Sequence, residues 1–467
     1  MSTAGSRTAR PTRADRTGAH RAAWTWDRKT NRKEALLLRN YDRENGVLKI
    51  GGLPLTQIVG EVGTPSFIYD AGLIARRFAA VREAFPSFEV LYSMKANPSF
   101  AVVGLLKALG AGAEIASGGE LFLATEVGFD PVDVVFAGPG KADRELEEAI
   151  VAGVFAINVE SFRELERVTR ISKLVGVPAR VALRLNTSAG LAKAGGGSAG
   201  PLHEQMAGGP SKFGIDEEKL DALGKYLREP GIELVGIHIY TASQILDPEE
   251  VVANAERTAR AARHVEELTG QELMSIDFGG GLGVPHYEDE RPLDLPALGA
   301  RVEEVFAPFK KQGTRLMIEL GRYLVSEAGV FVSRIIELKE SRGERYIITD
   351  GGINQFLRPV LMKVRHEAAV LNRLDDPPST EAKVSGPLCT PIDIMSQGIP
   401  VPEGTAIDDL VGVMNAGAYG YSMSPQLFLS HPTPAEAIVM NGRVVIARKR
   451  GTYEDMLRNQ EPLPGTV

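Results

Sequence analysis

From Pro65 onward, short apolar runs alternate with segments whose apolar positions recur every three or four residues. The runs are EVLYSMK (89–95), GAEIAS (112–117), DVVFAGP (133–139), VFAINVE (154–160), RVALRLN (180–186), LVGIHIY (234–240), SIDFGGG (275–281) and LMIELGR (316–322). Each has the length and composition of a buried strand. Stretches such as PSFAVVGLLKALG and VVANAERTARAARHVEELTG lie between them and carry helical periodicity. Eight β/α units in about 250 residues predict a (β/α)8 TIM barrel over residues 65–330. The gap from 186 to 234 is long for one unit. It holds AGLAKAGGGSAG, and 187–210 reads as a mobile insertion near the top of the barrel.

After about residue 330 the rhythm changes. VFVSRIIELKE, RYIITDGG, KVSGPLC, LVGVMNAGAYG, EAIVMNG and RVVIARKRG read as strands with Gly-rich turns. They predict a C-terminal all-β domain. VLKIGGLPL (47–55) is expected to join its sheet, so that residues 34–64 and 331–467 form one β domain around the barrel.

Nearly every barrel run ends in a residue capable of chemistry: Lys95, Ser117, Glu160, Asn186, His238, the run Gly279–Gly281, then Glu319 and Arg322. The C-terminal ends of the strands build the active site in such barrels. Strands also end in polar residues simply because they stop in polar loops. That accounts for Ser117 and Asn186, but poorly for a lysine inside SMKAN or a glutamate inside an apolar strand.

Composition narrows the class. The chain has 467 residues, and 53 Lys plus Arg against 60 Asp plus Glu give a formal charge of −7. A nucleic-acid-binding body would show a basic excess, so none is expected as partner. The one cysteine, Cys389, excludes an internal disulfide and a cysteine cluster. This fits a reducing compartment and a cytoplasmic protein. No apolar run approaches the roughly 18 residues of a membrane span. Residues 1–33 carry seven Arg and two Lys against two Asp. They read as a solvated, disordered tail, although an Arg-rich, acid-poor start is also the composition of an organelle transit peptide. Trp24 and Trp26 are candidates to pin that tail to the body.

Several residues carry candidate chemistry, each with an ordinary alternative. Lys95 at a barrel mouth is a candidate amine nucleophile toward a carbonyl, with partial burial expected to lower its pKa; a surface salt-bridging lysine is the alternative. Gly279, Gly280 and Gly281 let backbone N–H groups approach a phosphate, though turns also need glycine. Glu319 is a carboxylate that needs a partner, met by a protonated ring nitrogen or by Arg322. His238 can stack on a ring or move a proton, or be a satisfied structural histidine. Cys389 is either a small buried hydrophobe or a thiol proton donor. No histidine pair has metal-ligand spacing, so no metal is predicted. Lysine, phosphate loop, carboxylate and stacking ring at four strand ends together describe a pyridoxal phosphate site.

YSMKAN, ASGGEL, SKFGI, HIYTASQ, DFGGGLG, ELGR, GPLCTPID and NAGAYG also occur in the order seen in the fold-type III pyridoxal phosphate decarboxylases. The chain resembles that diaminopimelate, ornithine and arginine decarboxylase family from about residue 40 to 450. The resemblance implies an alanine-racemase-like barrel plus β domain. It implies that Lys95 holds the cofactor covalently and that His238 stacks on its ring. Ser243 would match the hydroxyl of a His-x-Gly-Ser-Gln motif, with two more residues in between here. Gly279, Gly280 and Gly281 would cradle the phosphate, Tyr419 would cap it, and Glu319 would keep the ring nitrogen protonated. Cys389 would come from the second subunit of a homodimer with shared active sites and return a proton to the carbanion.

The substrate side departs from the family. Arg322 and Arg358 match residues that clasp a distal carboxylate in diaminopimelate decarboxylases. Those enzymes have Cys-Glu-Ser where this chain has Thr390, and a tyrosine where it has Met362. Asp393 is a candidate acid for a distal amine, yet the two arginines argue against a cationic tail. CTPID and SPQLFLSHPTPAEAIV (424–439) resemble a secondary-metabolism subgroup, one type of which decarboxylates a glutamyl thioester on an acyl carrier protein. Lys212, Arg358, Lys363 and Arg365 are candidate rim residues for such a carrier, or ordinary solvated charges. The leading expectation is therefore a decarboxylase of a carrier-bound glutamyl group. A free-substrate diaminopimelate decarboxylase and a non-catalytic, decarboxylase-like regulator are the alternatives.

Overall fold

The computed structural model describes residues 39–188, 206–227, 229–287 and 289–465. The tail 1–33 with Trp24 and Trp26 lies outside them, as does most of the 187–210 insertion. The chain enters through β1 (Ser66–Asp70) and then builds eight barrel strands. These are β2 (Phe88–Ser93), β3 (Gly112–Ile115), β4 (Val134–Phe136), β5 (Ala156–Val159), β6 (Ala179–Asn186), β7 (Ile232–His238), β8 (Ser275–Gly280) and β9 (Arg315–Leu320). All neighbours pair in parallel, and β9 closes on β2 with Leu316 opposite Phe88. The eight apolar runs read from the sequence are these eight strands.

Helices cover the outside because their apolar stripe matches the barrel surface. The longest, Pro248–Thr269, starts on an Asp247 cap with Pro248 in its first turn and ends at Gly270 with φ 70°. Its buried face is Val251, Val252, Ala255, Ala259 and Ala262. Inside the barrel, Leu91, Val135, Ala156, Ala182, Val235 and Met317 from six strands form a buried cluster with Phe155. Arg180 and Arg315 stack on the Phe155 ring at 4.9 and 4.2 Å. The interior is thus packed with apolar side chains, as expected of a barrel this size.

The strands after the barrel are β10 (Gly329–Ser341), β11 (Glu344–Thr349), β12 (Ala368–Val370), β13 (Pro378–Ser385), β14 (Ile394–Pro402), β15 (Leu410–Val413), β16 (Ala435–Met440) and β17 (Arg443–Arg448). The sheet runs β14-β13-β11-β10-β1-β16-β17, with β15 on β10 and β12 on β15. Two placements differ from the expected boundary at Pro65. β1 is a central strand of this sheet, antiparallel to β10 and parallel to β16. The segment 47–55 instead folds back on itself as Val47–Ile50 and Leu53–Pro54, in a small three-stranded sheet with Arg43–Glu44. Gly51 and Gly52 at φ 56° and 86° form the tight hairpin turn that stops it extending into the larger sheet. A bond from the Leu48 N–H to the Leu371 carbonyl, 2.8 Å, ties it to the β domain.

The β domain meets the barrel at the C-terminal ends of the strands. The Tyr419 N–H donates to the Ala96 carbonyl at 2.7 Å, and the Asn97 amide donates to the Gly417 carbonyl at 2.9 Å. The NAGAYG loop therefore sits on the turn that carries Lys95. Among the described residues no helix is long and apolar enough to cross a membrane.

Candidate active site

Lys95 lies in a single helical turn, Met94–Ala96, directly after β2. Its Nζ donates to both oxygens of Glu114 on β3, at 2.8 and 2.7 Å. The Tyr240 ring centroid is 5.6 Å away. Burial alone would lower the pKa of this ammonium, as the sequence reading expects. The Glu114 carboxylate, helped by Glu319, reverses the sign and raises it above the ordinary lysine value. Glu114 is almost fully buried, so little solvent screens the attraction from its side. Glu120 nearby is pushed up to about 7, by burial first and by the Glu114 charge second.

His238 ends β7, Asp277 lies within β8 and Glu319 is next to last in β9, three adjacent strands. All three are buried, and their donor atoms lie within 4.8 Å of one another. His238 Nε2 is 3.3 Å from Glu319 Oε2. Burial opposes ionisation of both carboxyls. At Glu319 the contacts with His238 and the Lys95 ammonium outweigh it, and the carboxyl is held well below its usual range. At Asp277 burial and the Glu319 charge act together, so its carboxyl is raised well above.

The glycine run is required by its neighbours' backbone. A Cβ on Gly280 would sit 1.9 Å from the Glu319 carbonyl, and one on Gly281 would sit 2.0 Å from the Ala242 carbonyl. Gly279 has φ 70°, and its N–H donates to Asp277 Oδ1 at 2.9 Å. Glycine here lets the 239–245 segment lie directly on the end of β8, and keeps the loop low at the barrel mouth.

A second cluster gathers Arg322, Arg358, Tyr419 and Ser243. The Arg322 and Arg358 guanidinium carbons lie 5.1 and 5.5 Å from the Tyr419 ring centroid. Arg322 donates to Ser243 Oγ at 3.2 Å. Tyr419 adopts φ 55°, which turns the loop back over Lys95's turn. Two buried imidazoles, His286 and His366, stand 5.1 Å apart by ring centroid. Burial, then the other histidine and Arg358, push His286 far below its usual value; burial, then Arg358, push His366 down to about 3.

The other expected site residues fall elsewhere. Cys389 is exposed on this single chain, and Thr390 and Met362 are half-buried. Asp393 is buried and holds backbone. Its two oxygens accept the Ile353 and Leu388 N–H groups, both at 2.8 Å, and pin the loops that carry Gly352 and Gly386. Arg358 is 3% exposed and forms no part of an outer rim, whereas Lys212 and Lys363 are exposed. Ser117 is an N-cap, accepting from the Glu120 N–H. Glu160 and Arg184 form a buried pair at 2.8 Å, and Glu160 also accepts the Gly138 and Gly214 N–H groups. Asn186 binds Gly208, Gly209 and Asp216. These two hold the SKFG loop in place. Sequence reasoning missed Glu114, Asp277 and Tyr240. The signal for the first two was an acid in the middle of an apolar strand, GAEIAS and SIDFGGG.

Comparison with known proteins bears on this geometry. Residues 71–326 match the family model described as pyridoxal-dependent decarboxylase, pyridoxal binding domain. The chain is 33% identical over 418 residues to the L-glutamyl-[BtrI acyl-carrier protein] decarboxylase of Niallia circulans, covering 87% of this chain and 96% of the relative. It is 35% identical over 426 residues to the diaminopimelate decarboxylase of Methanothermobacter thermautotrophicus, covering 89% and 96%. The crystal structure of diaminopimelate decarboxylase from M. jannaschii in co-complex with L-lysine superposes with a TM-score of 0.84 at 25% identity, covering 93% of this chain and all of that one. The residues present fit pyridoxal phosphate: an amine-bearing lysine, a buried carboxylate held ionised, and a glycine run without side chains that keeps its loop low meet at one barrel mouth.

Proposed function

Because this chain belongs to the pyridoxal-dependent decarboxylases, and is a pyridoxal phosphate-dependent carboxy-lyase acting on an amino acid, we propose that its substrate is a glutamyl group held as a thioester on an acyl carrier protein. The observation that carries this reading is a neutral side chain in place of an acid of the diaminopimelate enzymes. Thr390 stands where the diaminopimelate enzymes carry a glutamate, and Asp393 is occupied by two backbone N–H groups. A free diaminopimelate would bring a distal ammonium that the neutral Thr390 cannot pair with, which costs discrimination. The name of the Niallia circulans relative supports the same substrate.

Bound at this mouth, pyridoxal phosphate supplies the electron sink for breaking the bond between Cα and the carboxylate. Lys95 would be the residue that holds the cofactor, through its amine. Glu319, ionised, would keep a proton on the ring nitrogen. His238 would support the ring. Gly279, Gly280 and Gly281 with Ser243 and Tyr419 would hold the phosphate. Arg322 and Arg358 would orient the substrate tail. Cys389 would deliver the proton to Cα. Its exposure on one chain suits a thiol supplied across the interface of a homodimer.

The diaminopimelate reading draws on the buried arginines beside Tyr419, which suit a distal carboxylate. Carbon dioxide release separates the two. The loaded enzyme is offered glutamyl thioester on a carrier protein or pantetheine, free glutamate, diaminopimelate, ornithine, lysine and arginine. Turnover confined to the thioester is expected. Fast turnover of diaminopimelate would overturn the carrier reading and make Thr390 and Met362 tolerated replacements.

A further inference from the structure

Asp277 has no role in the chemistry above, yet it touches both ends of the cofactor site. Its side chain is 2% exposed. Oδ1 accepts the N–H of Gly279, the first residue of the glycine run, at 2.9 Å. Among the described residues Oδ2 has no hydrogen-bond partner, and it has no access to solvent; the same holds for Oε1 of its neighbour Glu319. Two buried carboxyl oxygens without partners, on residues whose polar atoms lie within 4.8 Å, cannot both belong to anions at low cost. One proton on Asp277 satisfies both at once.

We propose that Asp277 is a positioning residue that stays a neutral carboxylic acid, donating from Oδ2 to Glu319 while its Oδ1 fixes Gly279. One side chain then sets the carboxylate behind the ring nitrogen and the loop at the phosphate. The charged and titratable groups around the pair are His238 from β7, Glu114 from β3 and Lys95 after β2. Lys95 and the His238 contact hold the negative charge on Glu319, and burial with the Glu319 and Glu114 charges keeps the proton on Asp277. A hydrogen bond to the ionised Glu319 also lowers its proton affinity, so the proton shared with the ring nitrogen stays on the ring. The inference rests on the reading that places Glu319 behind that nitrogen.

The test uses full-length protein stripped of cofactor and titrated with pyridoxal phosphate, followed by visible absorbance. Asp277→Asn keeps a donor toward Glu319 and an acceptor for Gly279. It should bind within fivefold of the wild type, whereas Asp277→Ala, losing a charge-assisted hydrogen bond, should bind about tenfold more weakly or worse. Loss beyond fivefold in Asp277→Asn would mean an ionised carboxylate is required and overturns the proposal. So does an Asp277→Ala affinity within fivefold of the wild type. If Asp277→Ala fails to fold, infrared spectroscopy decides. The carbonyl stretch of a neutral carboxylic acid should be present in the wild type at neutral pH and missing in Asp277→Asn; its absence from the wild type overturns the proposal. Glu319→Gln separates the two readings. If it binds pyridoxal phosphate as the wild type does, while the wild type itself shows the infrared band, the placement of Glu319 fails and the shared proton stands.

Discussion

Replacing Glu114 by glutamine should release the Lys95 amine. The ammonium and carboxylate stand 2.7 to 2.8 Å apart. At an effective dielectric of about 20 that separation corresponds to about 6 kcal/mol of attraction. The Lys95 side chain keeps 36% of its accessibility, so solvent screening reduces the usable part to about 2 to 3 kcal/mol. At about 1.36 kcal/mol per pKa unit, that is about two units. The folded-state pKa of Lys95 lies above its ordinary value. The pair's stabilisation is therefore complete below the ordinary lysine pKa and is lost only as pH rises through the folded one. In Glu114→Gln the neutral amine should be about 100-fold more abundant at any pH below both values. Capture of pyridoxal phosphate by cofactor-free enzyme requires that neutral amine. Stopped-flow absorbance from neutral to alkaline pH should show a rate up to about 100-fold faster in the variant, a gap that closes only once pH passes the ordinary lysine pKa. An unchanged or slower rate across that range would refute the ion pair as the store of the Lys95 proton.

Other outcomes follow from the same geometry. Cys389→Ala should cut turnover while cofactor absorbance is retained; loss of bound cofactor would show that the thiol is structural. Arg184→Met leaves Glu160 a buried carboxylate with backbone partners only, at a cost of about 3 to 5 kcal/mol. A clear drop in thermal midpoint is expected, partly restored when Glu160→Gln is added. Glu120 has a folded pKa of about 7, raised from the usual carboxylate range. It gains its charge as pH passes 7 and then adds a second anion beside Lys95, so a shallow break in cofactor capture near that pH should vanish in Glu120→Gln. Raised in this sense, Glu120 also makes the fold less stable as pH climbs from about 4.5 to 7, which pH-dependent melting of the same variant checks.

The barrel was legible because parallel strands buried on both faces leave continuous apolar runs, and all eight stand where those runs do. The Pro65 boundary misled because β1, SFIYD, is such a run too. Nothing local says that it pairs with residues some 260 and 370 positions later in the chain. β14 escaped notice because Gly398, Pro400 and Pro402 interrupt it; it is an edge strand, paired only with β13, where proline is tolerated. At the site, Lys95, His238 and Glu319 stand out as polar residues at strand ends. Their protonation does not, because it depends on neighbours from other strands. The sign of the Lys95 shift turns on Glu114, nineteen residues away, and the freedom of Asp393 turns on two backbone amides across a loop.

The central position of β1 has a consequence for how the protein is made. Its five residues are all buried in the finished sheet, but its partner β10 begins at Gly329 and its partner β16 at Ala435. At about 5 to 20 residues per second of synthesis, the gap from Asp70 to Gly329 leaves an apolar, unpaired strand waiting for about 13 to 50 seconds while the whole barrel emerges. A ribosome-bound chain of this protein exposes, for all that time, a short sticky edge that chaperones or a second nascent chain can reach before its own C-terminus does.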